Sequence, residues 1–234
     1  MFQFKQFSVD QTGCAMKINT DGVLLGAIAE AEEPKSILDI GTGTGVIALM
    51  LAQRYKDAII DAVEIDTDAA KTAERNFKAS AFADRLNVYP LGFEDYFYLF
   101  PDRKYDLIVS NPPFYIDALK SPGAKKRLAK HADIDFFDAL VKTIFGHLSY
   151  RGLFWLILPI GTAEIVCEKV EEGGLFLQMI LDIRSYPHSP PHRNILCYGF
   201  EQGLAEIDEK SIYKALGVYS EEYRELLKPY FMAF

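Results

Sequence analysis

Cysteine is scarce in this sequence of 234 residues: Cys14, Cys167 and Cys197 are three in number, far apart and without CxxC spacing. That count excludes a disulfide framework and a zinc ribbon, and points to inert thiols in a reducing compartment. Long apolar runs are missing too. No stretch reaches the roughly 18 apolar residues of a membrane span, and the opening MFQFKQFSVDQ lacks the basic-then-apolar order of an export signal. Nor is there any excess of positive charge. The 25 Lys and Arg face 33 Asp and Glu, a formal charge of −8, so the molecule as a whole repels polyanions and membrane surfaces. Any contact with nucleic acid must then come from a local patch. There is no internal repeat, Gly/Ser linker or low-complexity tract. Half of the residues are apolar, and a chain of this size buries roughly 70% of its unfolded surface without a metal or crosslink. A cytoplasmic, globular protein is expected.

From residue 36 onward, short β-branched or aromatic runs alternate with amphipathic stretches, the pattern of a parallel sheet with crossover helices. Strands are expected at 37–40, 59–65, 86–91, 105–110, 153–159, 178–186 and 194–201, seven in all. Helices are expected at 46–55, 68–81, 135–148 and 162–172, and the aromatic run 93–100 reads as a core-facing helix. The last two strands are joined by the seven residues 187–193, too few for a crossover helix, so that pair should be antiparallel. The expected architecture is a doubly wound α/β sheet of five parallel strands plus a hairpin. One domain, 36–234, follows an N-terminal extension, 1–35.

Two motifs carry chemistry. In ILDIGTGTG, Gly41, Gly43 and Gly45 alternate between the first strand and the first helix, where a chain without Cβ atoms turns sharply and lets a ligand approach. The spacing is neither GxGxxG nor a P-loop, and no Lys follows. Asp39, just ahead, would oppose a pyrophosphate but suits a ligand with a sulfonium and an α-amino group. Glu64, ending the second strand, is placed to accept both hydroxyls of a ribose. S-adenosylmethionine has those parts; a nicotinamide dinucleotide, the other reading, prefers the longer glycine spacing. The second motif is Asn111-Pro112-Pro113-Phe114, directly after the strand 105–110. Two prolines force the chain out of the sheet in a fixed, extended shape. In a doubly wound sheet this exit lies beside the glycine loop. The Asn111 side-chain oxygen and the Pro112 carbonyl can each accept one hydrogen of an exocyclic amine, and Phe114 offers a face for its ring.

Together ILDIGTGTG, VEID and NPPF resemble the class I S-adenosylmethionine-dependent N-methyltransferases that modify adenine amines or glutamine amides. The stretch FQFKQFSVDQTGCAMKINTDGVLLGA is similar to the bacterial enzymes that methylate N6 of the adenine next to the anticodon of a valine tRNA. The resemblance implies a Rossmann-like, mostly parallel seven-stranded sheet with one antiparallel strand. It implies that Asp39, Gly41, Thr42, Gly43, Gly45, Glu64 and Ile65 bind the cofactor together with Asn111, and that Asn111, Pro112, Pro113 and Phe114 hold the base. Lys17, Thr20 and Asp21 would close over the methionine end of the cofactor. The cofactor's adenine amine would be met by Glu94, Asp95 or the Phe93 backbone, three alternatives that stay open. No metal is implied, and a monomer is expected.

KSPGAKKRLAKH, residues 120–131, carries Lys120, Lys125, Lys126, Arg127 and Lys130 without an acid, directly after the catalytic tetrapeptide. A basic segment at the rim of a base pocket is where a phosphate backbone needs to be, so tRNA is the expected partner. Arg184, His188, His192 and Arg193 form a second, weaker cluster, from which Arg193 is taken as an RNA contact. His147, among apolar neighbours, should cap or pack. Two other readings remain. One is a glutamine N5-methyltransferase acting on a release factor, which usually carries a helical N-terminal domain that about 35 residues cannot build. The other is a non-catalytic module binding the cofactor or RNA, which Asn111 argues against.

Overall fold

In a sheet covered on both faces, consecutive strand residues are all apolar and alternate between two cores. Ile37, Ile60, Leu107, Val109, Trp155 and Ile157 face one cluster, and Leu38, Val63, Ile108, Phe154, Leu156 and Leu158 face the other. The computed structural model describes residues 1–112 and 124–234, with side chains for 1–112 and 135–234.

The chain begins with a small antiparallel hairpin, β1 (Phe2–Gln3) and β2 (Ser8–Val9), followed by α1 (Thr20–Ile28). The alternating part runs β3 (Ser36–Ile40), α2 (Val46–Arg54), β4 (Ile59–Val63), α3 (Thr67–Ala79), β5 (Leu86–Tyr89), α4 (Phe93–Leu99) and β6 (Tyr105–Ser110). Then come α5 (Ala124–His147), β7 (Leu148–Pro159), α6 (Ile160–Glu172), β8 (Phe176–Arg184), β9 (Pro191–Gly199) and β10 (Glu206–Ser211). A second small hairpin, β11 (Tyr213–Ala215) and β12 (Val218–Tyr219), leads into α7 (Glu221–Leu227).

Among the described residues the main sheet has eight strands, in the order β10-β8-β9-β7-β6-β3-β4-β5. All pairs are parallel except those made by β9, which runs against both β7 and β8. The doubly wound α/β architecture and the single reversed strand are therefore as expected, but the strand count is one higher. The extra strand, β10, has exposed or half-exposed side chains throughout. Its sequence EIDEKS reads as a loop because a charged edge strand has no alternating apolar face to announce it. The helices α1, α2, α3 and α7 cover one face, and α4, α5 and α6 the other.

The expected list also lacked α1. Gly22 to Ala27 are all buried, so its apolar residues go right round and leave no stripe for a period to show. Its two glycines permit close approach. A Cβ on Gly26 would stand 2.9 Å from the Met50 Sδ of α2, so α1 lies close against α2 there and any larger residue would have to push the Met50 side chain aside. Arg54, at the end of α2, donates to the carbonyls of Ala29, Gly26 and Ala27 and to the Tyr230 hydroxyl. One guanidinium thus satisfies three carbonyls that the end of α1 leaves open. Arg54→Met is expected to cost about 3 kcal/mol of unfolding free energy, read by urea denaturation. A loss below about 1 kcal/mol would show that water serves those carbonyls as well.

A carboxylate inside the second core is fully committed to structure. Asp61 accepts from Asn87 Nδ2 at 2.9 Å, Tyr96 Oη at 2.9 Å, Tyr105 Oη at 2.7 Å and Arg103 Nη1 at 2.6 Å. His147 stacks on Phe97 with ring centroids 3.7 Å apart, and its Nδ1 lies 2.8 Å from the Arg103 carbonyl.

Candidate active site

Register brings the two motifs together. Ile40, the last residue of β3, pairs with Val63 of β4 on one side and Ser110 of β6 on the other. The Ser110 hydroxyl donates to the Ile40 carbonyl at 3.0 Å, fixing these strand ends together. Gly41, Glu64 and Asn111 therefore leave the sheet side by side, at strand spacings of about 4.8 Å. The amides of Gly41 and Thr42 donate to the Val63 carbonyl at 2.9 and 3.2 Å, which bends the glycine loop back over β4.

All three glycines have positive φ: 73° at Gly41, 56° at Gly43 and 83° at Gly45. A Cβ on Gly41 or Gly43 would meet no atom within 4 Å. Their backbone therefore borders an open cradle. Glu64 forms one wall, with Oε2 accepting from the Gly43 amide at 2.9 Å and Oε1 from the Asp66 amide at 2.9 Å. Each carboxylate oxygen keeps capacity for another donor. Ile65, 78% exposed, presents an apolar face beside Gly92, whose Cβ would lie 3.5 Å from its Cδ1. A diol acceptor next to a flat apolar surface suits a nucleoside, so these residues fit S-adenosylmethionine.

Asp39 takes a different place. It is fully buried, with Oδ2 accepting from Thr42 Oγ1 at 2.6 Å and from the Ala48 amide at 3.2 Å. Oδ1 is sealed from solvent and has no partner among the described residues. The Asp39 carboxylate and the Thr42 hydroxyl thus bond to each other, and Asp39 ties the glycine loop to α2 through Ala48. Burial pushes the Asp39 carboxyl from 3.8 up to about 7, against the bonds from Thr42 and Ala48, which pull it down, and with a small upward push from Glu64. Between those two values the folded protein keeps a proton that the unfolded chain has released. This group's stabilising effect is therefore complete below pH 3.8 and declines as pH rises toward 7. Asp39→Asn cannot ionise, so its stability relative to the parent should improve by about 2 to 3 kcal/mol between pH 5 and pH 8. Urea titrations at both pH values read this directly, and an unchanged difference would mean that the carboxylate is solvated.

The N-terminal segment runs along α3 to the same place. Asn76, buried on α3, accepts from the Asp10 amide at 2.8 Å and donates to the carbonyls of Asp10 at 2.9 Å and Thr44 at 2.8 Å. One side chain thus staples that segment to the glycine loop. Asn19 caps α1 through the Gly22 amide at 2.8 Å. A Cβ on Gly22 would stand 3.5 Å from Asn19 Oδ1 and 3.6 Å from Asn111 Nδ2, so the first turn of α1 lies against the Asn111 amide. Sequence reading missed Asn19, Gly22 and Asn76. The available signal was a polar Asn on the apolar side of an otherwise amphipathic helix.

Other expected site residues are scattered by role. Lys17 and Thr20 are exposed, as are Glu94 and Asp95, whereas the Phe93 ring is buried against Phe136 at 5.6 Å. Tyr98 is the outward ring of α4, 85% exposed. Arg193, expected to face RNA, points its Nε to Asp21 Oδ2 at 2.8 Å, and Arg184 pairs with Glu209 at 2.7 Å. Burial, reinforced by Arg193, holds the His192 imidazole below its ordinary value. Pro112 is buried. Pro113, Phe114 and Lys120 lie outside the described residues; Lys125, Lys126, Arg127 and Lys130 fall in the first turns of α5, their side chains also outside. Among the described residues no group of three His, Cys, Asp or Glu side chains is placed to hold a metal, and no helix is long and apolar enough to cross a membrane.

Residues 15–137 match the family model described as methyltransferase small domain. A protein of Pedobacter heparinus named tRNA1(Val) (adenine(37)-N6)-methyltransferase is 48% identical, the match covering 100% of this chain and 98% of that one. A protein of the same name from Christiangramia forsetii is 41% identical, over 99% of this chain and 97% of its own. Among solved structures, a predicted O-methyltransferase from Agrobacterium tumefaciens superposes with a TM-score of 0.65 at 16% identity, covering 90% of this chain and 96% of its own. A putative RNA methyltransferase from Pyrococcus horikoshii does so with a TM-score of 0.52 at 16% identity, covering 76% and 80%. At such identities the two structures speak for the fold alone.

Proposed function

Because the chain belongs to the tRNA1(Val) (adenine(37)-N6)-methyltransferase family, we propose that it methylates N6 of the adenine next to the anticodon in a valine tRNA, with Asn111 and Pro112 gripping the amine. The observation that carries this assignment of roles is the pairing of Ile40 with Ser110, which brings Asn111 beside the glycine loop.

S-adenosylmethionine, when bound, supplies an electrophilic methyl group on a sulfonium. Glu64 would accept hydrogen bonds from its ribose hydroxyls, the Gly41–Gly45 backbone would let it come close, and Ile65 would lie against its adenine. Asp39 and Thr42 keep that loop in shape. On the other side, Asn111 Oδ1 and the Pro112 carbonyl each accept one amine hydrogen. Holding both draws the nitrogen lone pair out of conjugation with the ring and aims it toward the cradle. This is positioning plus electrostatics, and no side chain has to remove a proton beforehand. Phe114 stacks on the base, worth about 1–3 kcal/mol. The target adenine must leave its stack to reach Asn111, so the anticodon loop is bound splayed or the base is flipped. Lys120, Lys125, Lys126, Arg127 and Lys130 meet the phosphates, the local positive charge that a chain with a formal charge of −8 needs for this substrate.

The decisive experiment incubates the purified protein with S-adenosylmethionine and unmodified valine tRNA, followed by nuclease digestion and mass spectrometry of the nucleosides. N6-methyladenosine in the anticodon-loop fragment is the expected product. Methylated glutamine in a release factor offered in parallel, with tRNA unchanged, would move the chemistry to an amide.

A further inference from the structure

The first turn of α1 is held at its mouth by a contact that spans the whole chain. Asp21 Oδ2 accepts from Arg193 Nε at 2.8 Å, with the two side chains only 18% and 28% exposed. The partners come from opposite sides of the site. Arg193 pairs with Pro159, the last residue of β7, so it stands at the carboxyl edge of the sheet, beyond β6 on the side away from the glycine loop. Its Nη1 also donates to the His192 carbonyl at 2.8 Å, fixing the guanidinium on its own strand. Asp21 lies in the first turn of α1, which packs on the glycine-loop side, where Gly22 approaches Val46 at the start of α2. The next residue, Gly22, lies against the Asn111 amide, with room for no more than a Cβ between them.

The geometry points to the Asp21–Arg193 ion pair as a latch that sets the distance between the first turn of α1 and Asn111, making both positioning residues for methyl transfer. Four observations converge. The far end of α1 is pinned by Arg54 and residues 22–27 are seated in the core, so any play left in the helix is at its less buried start, Thr20 and Asp21. Asn19 caps that end internally but ties it to no other element. The ion pair does so, bridging α1 to β9. Finally, the face that moves with it is the one touching Asn111, where a displacement of about 1 Å can cost up to 10²-fold in rate. Because the pair is largely buried, removing one partner leaves the other charge uncompensated, which costs global stability as well as local geometry.

This inference rests on the methyl-transfer reading above, and the test separates the two. Asp21→Asn, Arg193→Gln and the double variant are compared by amide exchange of residues 19–25, by S-adenosylmethionine affinity and by single-turnover methylation of valine tRNA. Each single change should speed exchange about tenfold and the double change no further, because both release the same latch. Turnover should fall about 10- to 100-fold in each single variant, again without addition in the double. Cofactor affinity should stay within about threefold, while each single variant should lower the melting temperature more than the double does, because each leaves one largely buried charge unpaired. Arg193→Lys, which keeps a charge, should recover part of the loss. Three results would overturn the latch: additive losses; a rise in the tRNA Michaelis constant for Arg193→Gln alone with turnover intact, marking a phosphate contact; or weaker cofactor binding for Asp21→Asn alone, marking a direct ligand. Failure of the parent protein to methylate tRNA would sink the substrate reading, while the exchange measurement still decides the latch.

Discussion

Asn111→Ala is expected to lower the single-turnover rate of methylation about 10³-fold while changing S-adenosylmethionine affinity by no more than about threefold. The asymmetry follows from position. Asn111 is the first residue beyond β6 and in the proposed mode would face the amine, whereas Glu64, Ile65 and the glycine loop would form the cofactor wall. Removing the side-chain oxygen leaves only the Pro112 carbonyl to hold one hydrogen. The nitrogen lone pair then stays delocalised into the ring, and the geometry of attack is lost as well as an acceptor. Asn111→Asp keeps an acceptor of the same shape, so it should retain clearly more activity than the Ala variant. A loss smaller than about tenfold in Asn111→Ala would remove the amine grip from the mechanism. The tRNA Michaelis constant should move less than the rate, because in the proposed mode most of the binding would come from phosphate contacts away from Asn111.

Gly45→Ala should destabilise the protein by about 2 to 5 kcal/mol, a large part of the 5–15 kcal/mol that a domain typically has. Two costs add. At φ 83° a Cβ crowds the following carbonyl oxygen, worth about 1–2 kcal/mol. That Cβ would also stand 2.5 Å from Phe77 Cε1, which is 2% exposed and held by the core on α3. Overpacking of this sort costs about 1–3 kcal/mol. Phe77→Leu removes the second cost but not the first, so in a double-mutant cycle it should partly rescue Gly45→Ala. Urea unfolding measures each corner. If Gly45→Ala costs less than about 1 kcal/mol, the loop and α3 are more yielding than this close packing allows. Gly41→Ala meets no atom, so it isolates the backbone cost alone.

The extent to which the sequence announced these features differs from element to element for physical reasons. The strand 105–110 was legible to the residue because a mostly apolar, β-branched run stops at Asn111 and a proline pair, and β6 occupies that span. The helix α2 was legible because glycines mark its start. By contrast, α1 is buried all round and carries two glycines, so neither period nor propensity singled it out. The edge strand β10 is charged along its length and reads as a loop. Asp39 shows the same limit within a motif. Its residue type suggested a carboxylate near a cation, and the motif gave no sign of its full burial or of its bonds to Thr42 and Ala48.

The amino-acid sequence alone determined the doubly wound sheet, the glycine turn after β3, Glu64 after β4 and the Asn-Pro exit after β6. Each is a local event, in which backbone conformation depends on a few neighbouring residues. Only the tertiary structure decided that Asn76 fastens the start of the chain to the glycine loop, that Arg54 closes α1, and that Asp21 meets Arg193 across 172 positions. Those contacts depend on where separate elements come to rest against a shared core. That is fixed by the packing of the whole molecule, and no short stretch of chain contains it.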